Sequence, residues 1–131
     1  MTSTRRILVV EDDGSARSAL AELLADEGFE VAQAGTGAEA LAALDSMPVL
    51  AVVDYQLPDT DGATLIRTIR VRRPDCACIM VTGSADLHID SEGDAHFSDR
   101  STEAEAAGAV GYLPKPVDFD ALLRMLERYL R

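Results

Sequence analysis

The chain has 131 residues, of which 47% are hydrophobic and 27% are charged, a size and composition typical of one soluble globular domain. Its formal net charge of −11 argues against direct binding to nucleic acid or to anionic membrane surfaces, because both attract basic proteins. The first apolar run, 7–10, is too short for a signal-peptide core or a membrane span, so we expect a cytoplasmic protein. Cys76 and Cys78 are expected to be reduced and buried.

Apolar runs of strand length alternate with segments of helical periodicity along the chain. The predicted strands are 7–10, 29–34, 49–53, 76–81 and 110–113. The predicted helices are 15–26, 36–47, a third that ends near 73, a short fourth at 101–107 and a last one after an N-cap at Asp118. Thr36 and Glu39 have the spacing of a capping box. Five strand–helix alternations predict a doubly wound α/β domain with a parallel sheet, whose ligand site lies at the carboxyl ends of the strands.

Polar residues follow these predicted strands: Glu11, Asp12, Asp54, Thr82 and Lys115. Each alone would be typical of a loop or helix cap, but five at one sheet edge indicate a functional site. Three carboxylates there repel one another by about 1 to 4 kcal/mol per close pair, so a cation is required, and oxygen ligands favour Mg²⁺. Lys115 is the single lysine of a sequence that has eleven arginines. Its compact ammonium group is well suited to bind a phosphoryl group. Thr82 would donate to a phosphoryl oxygen, and Asp54 would be the nucleophile.

Three motifs resemble those of bacterial response-regulator receiver domains. They are the acidic pair in Val9-Val10-Glu11-Asp12, the phosphoacceptor motif Asp54-Tyr55-Gln56-Leu57-Pro58 with Asp61-Gly62, and the lysine motif Tyr112-Leu113-Pro114-Lys115-Pro116 after Gly108-Ala109. The resemblance covers nearly the whole chain. It implies a single receiver domain over 1–131 with the flavodoxin-like (βα)5 fold and strand order 2-1-3-4-5.

The resemblance also implies a phosphorelay chemistry. Asp54 would accept a phosphoryl group from a phosphohistidine of a histidine kinase or a histidine phosphotransfer protein. Asp12, Asp54 and the main-chain carbonyl of Gln56 would bind Mg²⁺ directly, while Glu11 would act mainly through water. Such a domain promotes phosphoryl transfer to, and hydrolysis from, its own Asp54 and is not a turnover enzyme on a separate substrate.

Further roles follow from the same resemblance. Thr82 and Lys115 would hold the phosphoryl oxygens, and the peptide bond after Lys115 would be cis. Thr82 and Tyr112 would form a switch that couples the site to an output face made by the fourth helix, fifth strand and fifth helix. Gln56 and Ser84 occupy the two positions that tune hydrolysis of the phosphoaspartate.

The chain departs from the family between Thr82 and Lys115, which are 33 positions apart, about ten more than the resemblance implies. We assign the extra material to an extended acidic loop, 84–99. The segment 86–105 has seven acids and one base, so it contributes −6 of the net charge. This loop either gates the output face or binds a basic partner, or it is solvated without a role. His88 and His96 within it are more typical of bystanders than of metal ligands.

Alternative interpretations stay open. The chain could be a receiver excised from a larger hybrid kinase or multidomain response regulator, or a receiver-like binding module that works without phosphate. A phosphatase or mutase is disfavoured because the Asp-x-Asp spacing after the first strand is missing. The Leu-rich last helix leaves a homodimer open, and the output partner is not identified.

Overall fold

Five strands pair in parallel in one central sheet. The computed structural model describes residues 5–83, 87–89, 92, 95–97 and 101–130. Its strands are β1 (Arg6–Val10), β2 (Glu30–Ala34), β3 (Leu50–Asp54), β4 (Ala77–Thr82), β5 (Leu87–Ile89), β6 (Ala95–Phe97) and β7 (Gly111–Pro114). The order in the sheet is β2-β1-β3-β4-β7, and each neighbouring pair is parallel. Because β7 is the fifth strand of this sheet, the predicted order 2-1-3-4-5 and the doubly wound fold are confirmed.

Helices cover both faces of the sheet. They are α1 (Gly14–Asp26), α2 (Gly37–Ala43), α3 (Gly62–Arg72), α4 (Ser101–Ala107) and α5 (Phe119–Tyr129), and a short 3-10 helix, Leu44–Ser46, follows α2. Side chains of α1 and α5 share one core cluster with alternate residues of β1, β3 and β4, and those of α2, α3 and α4 share the other. In β3, Leu50 and Val52 face the first cluster, while Ala51 and Val53 face the second. Burial on both faces explains why this strand is a continuous apolar run.

The described ranges contain no helix that combines the length and the apolar character of a membrane span.

Both cysteines are free and buried, as predicted. The interaction between the two thiols shifts them in opposite directions: it lowers the pKa of Cys76, although burial raises it, and together with burial it raises the pKa of Cys78.

Short polar side chains cap the helices. Asp13, which directly follows the acidic pair, accepts from the backbone N–H groups of Ser15 (2.9 Å) and Ala16 (3.3 Å) and so begins α1. Thr36 accepts from the N–H of Glu39 (3.0 Å), as a capping box requires. The Glu39 carboxylate, however, accepts from the N–H of Gly35 (2.9 Å), one residue before the predicted partner. The predicted capping box is therefore formed on one side only.

The long connection between β4 and α4 contains a hairpin that the sequence pattern had not indicated. β5 and β6 pair antiparallel over three residues each, and they form a separate two-stranded sheet. Each has an apolar-His-apolar sequence, the alternation typical of a strand, but three residues are too few for a prediction. Ser84 and most of the acidic residues of 84–99 lie outside the described residues, as do the side chains of His88 and His96. α4 begins at Ser101, as predicted.

Met47 ends the 3-10 helix in a left-handed conformation, with φ 60° and ψ 53°. Its side chain is 63% exposed, so packing contributes little to compensate the steric cost of a Cβ there. We expect Met47→Gly to raise the free energy of unfolding by about 0.5 to 1 kcal/mol, measured by urea denaturation. Met47→Ala, which keeps the Cβ, serves as the control and should give no gain. A Gly variant less stable than the Ala variant would contradict the prediction.

Candidate functional site

The carboxyl ends of the parallel strands bring charged side chains together. Glu11 and Asp12 directly follow β1, Asp54 is the last residue of β3, and Lys115 directly follows β7. One carboxylate oxygen from each of the three acids lies within 4.8 Å of the others. The structure thus brings together four of the five residues that the strand ends indicated.

Lys115 is shared by two buried carboxylates. Its Nζ donates to Glu11 Oε1 at 2.5 Å and to Asp54 Oδ2 at 3.0 Å. Glu11 and Asp54 are 7% and 6% exposed, whereas the Lys115 side chain is 34% exposed and Asp12 is exposed. Glu11 and Asp54 are therefore shielded from bulk water, whereas Lys115 is half-buried and Asp12 is exposed.

The same contacts shift the proton affinities of the site. Burial raises the pKa of Glu11, and the adjacent Asp54 carboxyl raises it further against the opposing ammonium of Lys115. Burial alone would favour a neutral Lys115, but its hydrogen bonds to Glu11 and Asp54 raise the pKa of this amine. Lys115 is therefore a permanent cation at neutral pH.

The donor set fits a hard divalent cation. Glu11 Oε2 is buried and has no hydrogen-bond partner among the described residues, an arrangement that is unfavourable for a carboxylate. The formal charges of the three carboxylates and the one ammonium sum to −2. Oxygen ligands alone, at this charge and spacing, are typical of sites for Mg²⁺. The three carboxylates of the predicted magnesium site are thus close enough to hold one ion.

The loop after β3 closes tightly around Asp54. The N–H of Gln56 lies 3.4 Å from Asp54 Oδ1, and the N–H of Gly62 donates to the carbonyl of Tyr55 at 2.6 Å. Asp61 caps α3 by accepting from the N–H of Thr64 at 2.7 Å. A Cβ at Gly62 would lie 2.5 Å from the carbonyl oxygen of Asp54, so only glycine fits there. The Asp61-Gly62 pair of the predicted motif thus has a structural role.

The remaining predicted site residues lie on β4 and β7. Thr82 is 6% exposed at the end of β4, and its hydroxyl donates to the carbonyl of Gly83 at 3.3 Å. Tyr112 on β7 is half-buried and packs against the core cluster that contains α2, α3 and α4. The peptide bond between Lys115 and Pro116 is cis, as predicted. The switch roles of Thr82 and Tyr112 stay predictions.

A cavity of about 600 Å³ opens beside the carboxylates. It lies between α1 and the segment that joins β7 to α5. Its apolar lining includes Ala16, Leu20, Leu23, Val117 and Phe119. Leu23 is 45% exposed, so part of the apolar stripe of α1 lines this cavity instead of the core.

Two contacts near the site were not predicted from the sequence. Asp59, in the loop after β3, accepts from the N–H groups of Gly37 (2.8 Å) and Ala38 (3.0 Å) at the start of α2, and these hydrogen bonds lower the pKa of Asp59. The hydroxyl of Tyr55, the residue after Asp54, donates to Glu103 Oε1 on α4 at 3.1 Å. None of these pairs has a spacing that a sequence pattern reveals, because the partners are 22, 21 and 48 positions apart.

Arg17 makes a further contact that was not predicted from the sequence. It lies on α1, and its Nη1 donates to the main-chain carbonyl of Glu11 at 2.8 Å. The only available signal was its position one helical turn after Asp13.

Comparisons with known proteins agree with this geometry. The family model of the response regulator receiver domain matches residues 7–127. The chain is 35% identical over 123 residues to the DNA-binding transcriptional regulator NtrC of Escherichia coli K12, a match that covers 93% of the chain and 24% of NtrC. The chain therefore spans about a quarter of the length of the curated relatives it matches.

Solved structures of response regulator proteins share the fold of this chain. A CheY-like receiver domain protein from Methanospirillum hungatei JF-1 is 34% identical, with a TM-score of 0.79, and the match covers 97% of this chain and 94% of that one. The response regulator TrrA of Thermotoga maritima, crystallised in complex with Mg²⁺-BeF, is 28% identical, with a TM-score of 0.77, covering 96% and 99%. The family match, the shared fold and the acidic cluster at the sheet edge lead to one conclusion. The chain belongs to the response regulator receiver domain family of two-component systems.

Proposed function

We propose that this chain is a phosphoacceptor in two-component signal transduction and that Asp54 takes a phosphoryl group from a phosphohistidine. The donor would be a sensor histidine kinase or a histidine phosphotransfer protein. One observation carries the proposal: the buried Asp54 carboxylate, at the end of β3, shares the Lys115 ammonium with Glu11 and lies beside Asp12. An acidic side chain with a fixed cation and two further carboxylates is suited to accept a phosphoryl group.

Mg²⁺ is the proposed cofactor. Asp12, Asp54 and the main-chain carbonyl of Gln56 would hold it directly, and Glu11 would act mainly through water. The buried Oε2 of Glu11, which has no hydrogen-bond partner among the described residues, supports this assignment, as does the formal net charge of −2 on the cluster. When bound, the ion would neutralise the carboxylates and orient the phosphoryl oxygens.

In the proposed transfer, a carboxylate oxygen of Asp54 forms a bond to phosphorus while the P–N bond of the phosphohistidine breaks. The bonding electron pair leaves with the imidazole nitrogen, and the product is an aspartyl phosphate. Lys115 and Thr82 hold the phosphoryl oxygens, since each presents a donor at the end of a neighbouring strand. Gln56 and Ser84 tune the later hydrolysis of the acyl phosphate, and no separate substrate is turned over.

The proposed signal leaves through the face made by α4, β7 and α5. Thr82 and Tyr112 form the switch, and the hydrogen bond between Tyr55 and Glu103 supports a connection from the phosphoacceptor loop to α4. We further propose that residues 1–131 act as a single cytoplasmic receiver domain in which 84–99 is an acidic insertion, and that the output is a contact with a partner protein.

Incubation with Mg²⁺ and a small acyl phosphate, followed by intact mass measurement, tests the proposal. The wild-type chain is expected to gain the mass of one phosphoryl group, and removal of Mg²⁺ by a chelator should abolish the gain. Asp54→Ala should gain nothing, whereas the matched control Asp45→Ala, which removes an exposed carboxylate from the 3-10 helix, should be labelled like wild type. An unlabelled wild type, or labelling that survives in Asp54→Ala, would refute the function.

A further inference from the structure

We infer that Arg17 is a positioning residue for the acidic pair and that the affinity of the site for Mg²⁺ depends on its hydrogen bond to Glu11. The inference rests on the proposed function, because it concerns the cation that this function requires. It assigns to Arg17 an action through the main chain, without contact with the cation.

The main chain of Glu11 is held at both of its polar groups. Its N–H donates to the carbonyl of Ala34 on β2 at 3.0 Å, and its carbonyl accepts from Arg17 Nη1 at 2.8 Å. That carbonyl belongs to the planar peptide group that leads into Asp12. Since β1 ends at Val10, the sheet no longer fixes this peptide group, and Arg17 restrains it instead. The bond therefore sets the direction in which both Glu11 and Asp12 project.

The guanidinium of Arg17 lies in a narrow space between the loop after β1 and the loop before α2. A Cβ at Gly35 would lie 2.9 Å from Arg17 Nη1, whereas a Cβ at Gly14 would lie at an ordinary 3.7 Å from Nη2. Gly35 is itself held by Glu39, which accepts from its N–H at 2.9 Å. The half-buried Arg17 thus bridges α1, the end of β1 and the loop before α2. A methyl group at position 35 would push the guanidinium away without changing any charge.

Two physical effects must be separated, because Arg17 is also a cation near a cluster of net charge −2. A purely electrostatic effect would oppose Mg²⁺ binding, so removing the charge would tighten binding, and high salt would screen the change. A positioning effect has the opposite sign: loss of the hydrogen bond loosens the ligands and weakens binding. The sign of the change therefore distinguishes the two.

The test is a calorimetric titration of the intact chain with Mg²⁺ alone. Arg17→Met is expected to raise the Kd for Mg²⁺ about 10-fold, the usual size of an effect on residues that orient metal ligands. Gly35→Ala, which keeps every charge, should weaken binding in the same direction. Gly14→Ala and Arg67→Met are the matched controls, since the first adds a methyl group in ordinary contact and the second removes an exposed arginine of α3, and both should bind like wild type.

The labelling rate with the acyl phosphate supplies a second measurement. Arg17→Met should be slow at low Mg²⁺ and should recover at saturating Mg²⁺, because its chemistry is intact. If Arg17→Met fails to fold by circular dichroism, Gly35→Ala decides the question. Unchanged or tighter Mg²⁺ binding in the folded variants would overturn the inference. A wild type that binds Mg²⁺ but is never labelled would instead refute the proposed function and leave the Arg17 effect on binding measurable.

Discussion

Replacing Lys115 by Met is expected to lower the free energy of unfolding by about 2 kcal/mol in Mg²⁺-free buffer. This loss is smaller than the usual cost of breaking a buried ion pair, because the Lys115 side chain is one-third exposed. The loss of Nζ leaves the carboxylates of Glu11 and Asp54 buried side by side without their shared cation. Urea denaturation measures the change. Saturating Mg²⁺ should restore most of the stability, because a divalent cation neutralises the same two groups.

The same variant is expected to be labelled by the acyl phosphate about 100-fold more slowly, a loss typical of removing one donor from a developing charge. Arg124→Met, which removes an exposed cation from α5, is the control for net charge and should change neither property. Adding Asp54→Asn to Lys115→Met should recover part of the lost stability, since one of the two repelling carboxylates is then neutral. A Lys115→Met chain as stable as wild type without Mg²⁺ would show that the carboxylates do not depend on this ammonium.

Gly62→Ala is expected to destabilise the chain by about 3 kcal/mol, at the upper end of the usual cost of overpacking. The added methyl group would lie 2.5 Å from the carbonyl oxygen of Asp54 and 2.8 Å from the Cα of Tyr55. Both neighbours are backbone atoms, so relief requires a shift of the end of β3 that carries Asp54. Thermal unfolding and the labelling assay should therefore both be impaired.

Gly14→Ala is a matched control for that substitution. Gly14 and Gly62 are each the first residue of a helix, directly after an aspartate N-cap. At position 14, however, the nearest atom to an added Cβ is Arg17 Nη2, at 3.7 Å. We expect Gly14→Ala to keep its stability or gain up to about 1 kcal/mol from the less flexible unfolded chain. Equal losses in the two variants would mean that a helix-starting glycine, and not the contact with Asp54, determines the effect.

The sequence predicted the sheet and the gathering of the acidic cluster because both follow from simple geometry. Buried strands such as β3 require continuous apolar runs, and parallel strands bring their carboxyl ends to one edge, so Asp12, Asp54 and Lys115 had to meet there. The hydrogen bonds that Lys115 makes to both Glu11 and Asp54 follow from its place at that edge. The Asp118 cap was equally predictable, because it is a local contact.

The contacts that escaped prediction depend on side-chain direction. Glu39 has the spacing of a capping box, yet its carboxylate reaches Gly35, and no pattern distinguishes these two neighbouring N–H groups. Arg17 turns back toward β1, whereas the same residue type at an exposed helix position would extend into water. The β5–β6 hairpin was missed because three-residue strands do not produce a readable periodicity.

The hydrogen bonds of Asp59 link the start of α2 to the loop that follows Asp54, so backbone amides of α2 can report on that loop. The amide N–H groups of Gly37 and Ala38 donate to the two oxygens of the Asp59 carboxylate, five residues beyond Asp54. Amide chemical shifts are sensitive to a charged acceptor at such distances, and both amides belong to a helix outside the acidic cluster. NMR resonances of these two residues can therefore follow the conformation of the loop without any label placed in the site itself.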